Sequence, residues 1–273
     1  MKKIYLYIIP ILLLLSCVKK TDWSLKPQNT ELIVVDGIIT DTMGSQMIKI
    51  THPVSQLNET PQPFSGAKVI ITNEDSAYTL TERPPNSGVY LTKSSFIAQL
   101  GKHYTLFIAL NNKLYSAKAY LVPGIHFNAL KYSKDDGDNL YHIDSVAKAF
   151  NTSDTAMWEV LLDWSHVPGY ENSDPSKSKA RLLYYTLPTL DVSQIFAPAM
   201  ESIKFPAGTI ILERRYSLTP EHAEFLRTLI SETNWMGGLF STVPANVLTN
   251  LSPGAVGFFG ACSITSLSLT VLP

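Results

Sequence analysis

Few residues in this 273-residue chain have the types and spacing for chemistry. Its six histidines are His52, His103, His126, His142, His166 and His222. None stands two or four residues from another, and the zinc-protease pattern H-E-x-x-H is missing. His126 and His142 could meet Asp144 on neighbouring strands. Metal-site patterns ask for more than that, so surface or edge histidines are the preferred reading. The run Lys134-Asp135-Asp136-Gly137-Asp138-Asn139 is rich in oxygen donors. It lacks both the alternating acidic spacing and the distal glutamate of a calcium loop, and reads as a solvated hairpin tip. There is no G-x-S-x-G nucleophile motif and no phosphate-cradling glycine loop. The expectation is a protein that is not an enzyme, with no catalytic residue, metal or cofactor.

The chemistry that stands out lies at Cys17. Lys2 and Lys3 precede an apolar run over residues 4–15, broken only by Pro10. About a dozen residues is short of the roughly 20 that a membrane-spanning helix needs, and suits a secretory signal peptide. The run ends in Leu14-Leu15-Ser16-Cys17, which resembles the bacterial lipoprotein box, in which a cysteine after a small residue is acylated and becomes the new N-terminus. Residues 1–16 are then a lipoprotein signal peptide, and residues 17–29 a lipidated leash. Two or more acyl chains make such an anchor durable. No acid directly follows Cys17, which favours the outer membrane. Lys19-Lys20 leaves open whether the body sits on the periplasmic or the cell-surface side. With Cys17 acylated, Cys262 has no disulfide partner and reads as a small buried residue.

The whole chain has 22 basic and 23 acidic side chains; loss of residues 1–16 leaves 20 against 23, a net charge of about −3. That excludes the basic footprint of a nucleic-acid binder. About 257 mature residues exceed the usual single-domain size, and 17 prolines favour many strand-to-strand turns over long helices.

The positioning elements follow from periodicity and turn residues. Strands are expected over residues 31–40, 46–53, 68–72, 77–81, 89–91, 101–108 and 114–122, with turns at Asn73-Glu74-Asp75-Ser76, Pro84-Pro85-Asn86-Ser87-Gly88 and Asn111-Asn112. This short spacing predicts a β-sandwich over residues 30–122. Gly37, inside the first strand, marks a bulge or a close backbone approach. Pro123-Gly124 reads as a hinge into a second, β-rich domain over residues 123–273. There, Trp158, Leu162 and Trp164 alternate with polar neighbours as a half-buried strand does, and residues 181–187 and 210–216 are further strands. Thr219 as cap, Pro220 in the first turn and Glu221 near the start predict a helix over about 219–233. Its buried stripe is Phe225, Leu226, Leu229 and Ile230, with no ligand role for His222. The segments 256–259 and 267–271 are expected as a terminal pair of strands.

Gly66-Ala67-Lys68-Val69, Gly88-Val89-Tyr90 and Gly101-Lys102-His103-Tyr104-Thr105-Leu106 together resemble the carboxypeptidase-regulatory-like, transthyretin-like sandwich family. That resemblance covers residues 64–120 and implies a structural or interaction module. Val34-Val35-Asp36-Gly37-Ile38-Ile39-Thr40, the capped helix, Gly237-Gly238-Leu239-Phe240, Pro244-Ala245-Asn246-Val247, Asn250-Leu251-Ser252 and Gly257-Phe258-Phe259-Gly260-Ala261 resemble a large family of Bacteroidota lipoproteins, domain of unknown function 4249. This second resemblance runs over nearly the whole mature chain. It implies an outer-membrane accessory of a TonB-dependent receptor, and brings no catalytic residue with it.

The fold class expected is therefore mainly β: an N-terminal immunoglobulin/transthyretin-like sandwich plus a C-terminal β-rich domain with one clear helix. The function expected is that of a lipid-anchored accessory or binding protein; the alternative is a surface adhesin or glycan-binding module acting alone. Trp235, Met236, Leu239 and Phe240, an apolar stretch flanked by glycines after the helix, form the candidate partner contact.

Overall fold

A computed structural model describes residues 32–54, 59–171, 173–189, 203–233 and 247–273. Cys17 and the signal and leash segments lie outside the described residues, as do Trp235, Met236, Leu239 and Phe240.

The first half forms strands β1 (Ile33–Thr40), β2 (Met47–Thr51), β3 (Lys68–Thr72), β4 (Ala77–Thr79), β5 (Thr81–Glu82), β6 (Val89–Leu91), β7 (His103–Leu110) and β8 (Lys113–Tyr120). Alternation sorts their faces. On β1, Ile33, Val35 and Ile39 point inward, while Asp36 on the other face is exposed. Sheet one, completed by β14 (Ala255–Cys262), runs β14-β1-β2-β6-β5; sheet two runs β4-β3-β7-β8. Their inner faces share one core in which Ile48, Ile50, Val69, Ile71, Leu106, Ile108 and Phe259 are wholly buried. A sandwich is expected from residues 30–122 alone; this one also takes in β14 from the far end of the chain. The β7–β8 turn is made by Asn111 and Asn112 at positive φ of 50° and 58°, the backbone a tight hairpin needs.

Gly37 marks a close approach rather than a bulge, because the β1 register is continuous on both sides. A Cβ there would lie 2.2 Å from Ile48 Cδ1.

The second half adds β9 (Lys131–Lys134), β10 (Tyr141–Ser145), β11 (Ala156–Asp163), α1 (Pro175–Ser178), β12 (Lys179–Thr186), β13 (Ile210–Ser217), α2 (Pro220–Thr233) and β15 (Ile264–Thr270). Sheet three runs β12-β11-β13-β15, and β9 pairs β10 as a separate hairpin. Leu130, Tyr141, Val160, Leu162, Trp164, Phe205 and Ile211 form the core of this half. Trp158 and Trp164 are buried, as strand spacing required.

Two sequence expectations are corrected. The terminal strands are not a pair: β14 lies parallel beside β1 in sheet one, whereas β15 pairs β13 in sheet three. The boundary at residues 122/123 is likewise no hinge. Residues 32–273 form a single compact unit, and Val122 bridges Cys262 and accepts a hydrogen bond from Ser217 Oγ at 3.0 Å. A Cβ on Gly124 would lie 2.9 Å from Ser263 Oγ. β14 closes the first sheet because its apolar residues Ala255, Phe259 and Ala261 complete that core.

The corner between β14 and β15 is tied by polar groups. Asp41, just after β1, accepts from Ser263 Oγ and from Ile264 N at 2.8 Å. Ser263 N donates to Ser217 Oγ at 3.1 Å.

Helix α2 starts where its caps predicted: Ala223 N donates to Thr219 O at 2.9 Å, and His222 N to Thr219 Oγ1 at 3.3 Å. Its buried face is His222, Ala223, Leu226 and Ile230, rotated from the expected stripe. The rotation seats His222 in a stack of rings, its centroid 4.6 Å from that of Phe258, with Phe225 and Phe258 4.8 Å apart. Among the described residues no helix is long and apolar enough to cross a membrane.

Candidate functional site

The outward face of β1 and one face of sheet three enclose an open cleft of about 770 Å³. Register decides which side chains reach it. On β11, Glu159 lies directly across from Arg214 of β13, and Leu161 across from Arg181 of β12. Cross-strand partners share a face, so Glu159, Arg181, Arg214 and Tyr216 gather on the cleft side. The adjacent Arg215 points the other way, wholly into the core, where it pairs with Asp154 and lies 5.6 Å from the Trp158 ring.

Glu159 is the hub of the group. Arg181 Nε lies 2.6 Å from its Oε1; Arg214 Nη1 and Tyr216 Oη lie 3.3 Å and 3.0 Å from its Oε2. Burial alone would raise its pKa. The hydrogen bonds from Arg181 and Tyr216, with the charges of Arg181 and Arg214, outweigh burial and hold the carboxyl below its ordinary value. Burial and the Glu159 charge push the Tyr216 phenol up to about 12. At neutral pH the carboxylate and the phenol are each fixed in one protonation state. Such a group can hold a charged ligand; it is not poised to pass protons.

The rim is held by a buried amide. Thr40 N and Oγ1 donate to Gln46 Oε1 at 3.0 and 3.1 Å, and Gln46 Nε2 donates to Thr42 O and Gly44 O at 3.1 and 3.2 Å. Gln46 thereby fixes the loop that carries the exposed Met43 to the cleft mouth.

A smaller cavity of about 210 Å³ is lined by His103, Lys118, Asn250, His222 and Phe258, among others. Cys262 Sγ lies behind it, 3.7 Å from His222 Nδ1. Burial holds the His222 imidazole down at about 4, while burial and the Asp41 charge push the Cys262 thiol up. The pair is a neutral thiol against a neutral imidazole, opposite in sense to an activated nucleophile. Cys262 is the small buried residue that the sequence suggested.

The β9–β10 hairpin brings Ser133, His142 and two acids together. His142 Nδ1 is 2.8 Å from Asp135 Oδ1 and its Nε2 is 3.2 Å from Asp144 Oδ1. Ser133 Oγ lies 3.4 Å from His142 Nε2 but donates at 2.7 Å to Asp144. The hydroxyl proton is therefore aimed at a carboxylate and not at the imidazole, which departs from a nucleophile–base arrangement. His126 has no part in this group. Lys204 neutralises the tip through Asp138 at 2.8 Å and Asp135 at 2.9 Å. Among the described residues no cluster of three or more His, Cys, Asp or Glu can hold a metal ion.

The sequence did not single out Arg181, Arg214 or Tyr216, and took Glu159 as a polar residue of strand alternation. The doublet Arg214-Arg215 was a faint signal, since neighbours on a strand must part to opposite faces. Only the register showed which of the two meets Glu159.

These features define a β-sandwich joined to a third sheet, with a ligand-sized cleft in which charges are fixed. The family model described as "Domain of unknown function (DUF4249)" matches residues 19–268, and the chain belongs to that family. A search of curated proteins finds no match.

Proposed function

We propose that this protein is a non-catalytic, lipid-anchored binding protein of the outer membrane that works beside a TonB-dependent receptor. The observation that carries the binding half of this reading is the Glu159–Arg181–Arg214–Tyr216 group, hydrogen-bonded around one buried carboxylate against an open cleft. Support for the anchored half comes from Leu14-Leu15-Ser16-Cys17 after a short apolar run. A body built to hold rather than convert, tethered by one acylated end, acts on what is brought near it. Trp235, Met236, Leu239 and Phe240 are the proposed receptor contact.

The test is affinity capture of the full-length protein from detergent-solubilised membranes, alongside Cys17→Ser and Trp235→Ala. The expected result is a stoichiometric β-barrel receptor with the wild type, loss of membrane attachment in Cys17→Ser, and weaker capture by Trp235→Ala. Recovery of the bait alone, or full membrane attachment of Cys17→Ser, overturns the proposal.

A further inference from the structure

We propose that the cleft between β1 and sheet three binds a small organic carboxylate with an apolar body. Its carboxylate would lie on Arg181 and Arg214, and its body against Ile38, Met157, Leu212 and Ile264.

The head-group assignment rests on unused donors. Arg181 engages Glu159 through Nε alone, and Arg214 through Nη1 alone. That leaves both terminal nitrogens of Arg181 without a protein partner among the described residues, while Arg214 is shared between Glu159 and the Tyr216 phenol. The Arg181 and Arg214 side chains are 62% and 40% exposed, while Glu159 beneath them is 7% exposed. A buried acid thus holds two partly exposed guanidiniums that line the cleft. Planar forks match an oxyanion by paired N–H donors.

The charge balance narrows the oxyanion. Glu159 below offsets one of the two guanidiniums, and Asp36 on the opposite wall lies directly across from Lys49. About one positive charge is left beside the directed hydrogen bonds. A monoanion suits that balance, and a phosphate dianion exceeds it.

The body is assigned from the remaining lining. Ile38, Met157, Leu212 and Ile264 are half-buried and unpolar, and Met43 and Met47 stand exposed at the mouth. Methionine adapts to irregular apolar shapes. The volume of about 770 Å³ falls within the range of pockets for small molecules.

This inference rests on the cleft being a binding site and is independent of the anchor and the receptor. A failed receptor capture leaves it standing, and its own failure leaves the receptor partnership standing. The test is titration calorimetry of the full chain in maltoside micelles, with empty micelles subtracted. The probes are 4-phenylbutanoate, its neutral amide, and phenethyl phosphate. The carboxylate is expected to bind at least about tenfold more tightly than the amide, and more tightly than the phosphate. Arg181→Gln, which leaves Arg214 and Tyr216 on Glu159, is expected to weaken carboxylate binding about tenfold, or about 1.4 kcal/mol. Ser266→Glu, at an exposed position directly across from Arg214, supplies a competing carboxylate and is expected to abolish binding without disturbing a core. Equal affinity for acid and amide, tighter binding of the phosphate, or undiminished binding by folded Arg181→Gln and Ser266→Glu overturns the proposal.

Discussion

Gly260 on β14 lies directly against the imidazole of His222 on α2: a Cβ at Gly260 would come within 2.5 Å of His222 Cε1 and 2.8 Å of Nδ1. The helix docks with a buried ring in the space that a missing side chain leaves. Gly260→Ala therefore displaces a ring that is already stacked on Phe258. Overpacking of this kind costs about 1–3 kcal/mol. Thermal unfolding should show a fall of about 2–4 °C per kcal/mol for a chain of this size. An unchanged midpoint would mean that the helix moves freely over the strand.

The same histidine should make stability depend on pH. Burial holds it at about 4 in the folded protein, against an ordinary 6.5. As pH falls, the unfolded chain therefore takes up this proton first. Folding stability is complete above pH 6.5 and is lost as pH falls through 6.5 toward 4. The loss approaches about 3 kcal/mol below that window. Denaturant titrations across the range should show this fall in the wild type and its absence in His222→Leu.

Glu159 gives the complementary dependence in the acid range. Its carboxyl is held below the ordinary 4.5, so its contribution is present above that value and lost as pH falls below it. Glu159→Gln removes the charge that Arg181, Arg214 and Tyr216 surround, and should destabilise by about 2 kcal/mol at pH 7. The gap from wild type should narrow below pH 4.5. Equal gaps at neutral and acid pH would show that shape, not charge, is what Glu159 provides.

Gly257 tests the closing strand. It lies at φ +99°, and a Cβ there would meet Val35 O at 2.0 Å, a backbone atom of the paired strand. Gly257→Ala combines a disfavoured backbone with a clash that no side chain can relieve. Destabilisation of about 3 kcal/mol or more is expected in chemical unfolding. Wild-type stability would show that β14 can part from β1 without loss.

Cys262 should be inert. It is fully buried, with its thiol pushed up by burial and by Asp41. A thiol reagent should leave it unmodified in the native protein and modify it on unfolding. Rapid native labelling would expose an opening between α2 and β14.

Much of the fold was legible because it is local. Alternation in β1, β7 and β11 declares a buried face without reference to any partner. The caps at Thr219 and Pro220 place α2 within one residue, and Asn111-Asn112 carries the backbone of its own turn. The terminal segment containing Gly257-Phe258-Phe259-Gly260-Ala261 is likewise a linear pattern, and such patterns suffice to suggest the family. What the linear pattern could not hold is pairing between distant segments. Alternation tells which face of a strand is apolar, but not which strand lies beside it. β14 could therefore join β1 rather than its neighbour β15, and the division at residues 122/123 dissolved into one unit. The Glu159 group has the same origin. Residues 159, 181 and 214 are drawn together only by two strand registers. The amino-acid order determined the strands and the capped helix. The tertiary structure decided which charges meet, because hydrogen-bonded register converts separations of tens of residues into contacts of about 3 Å.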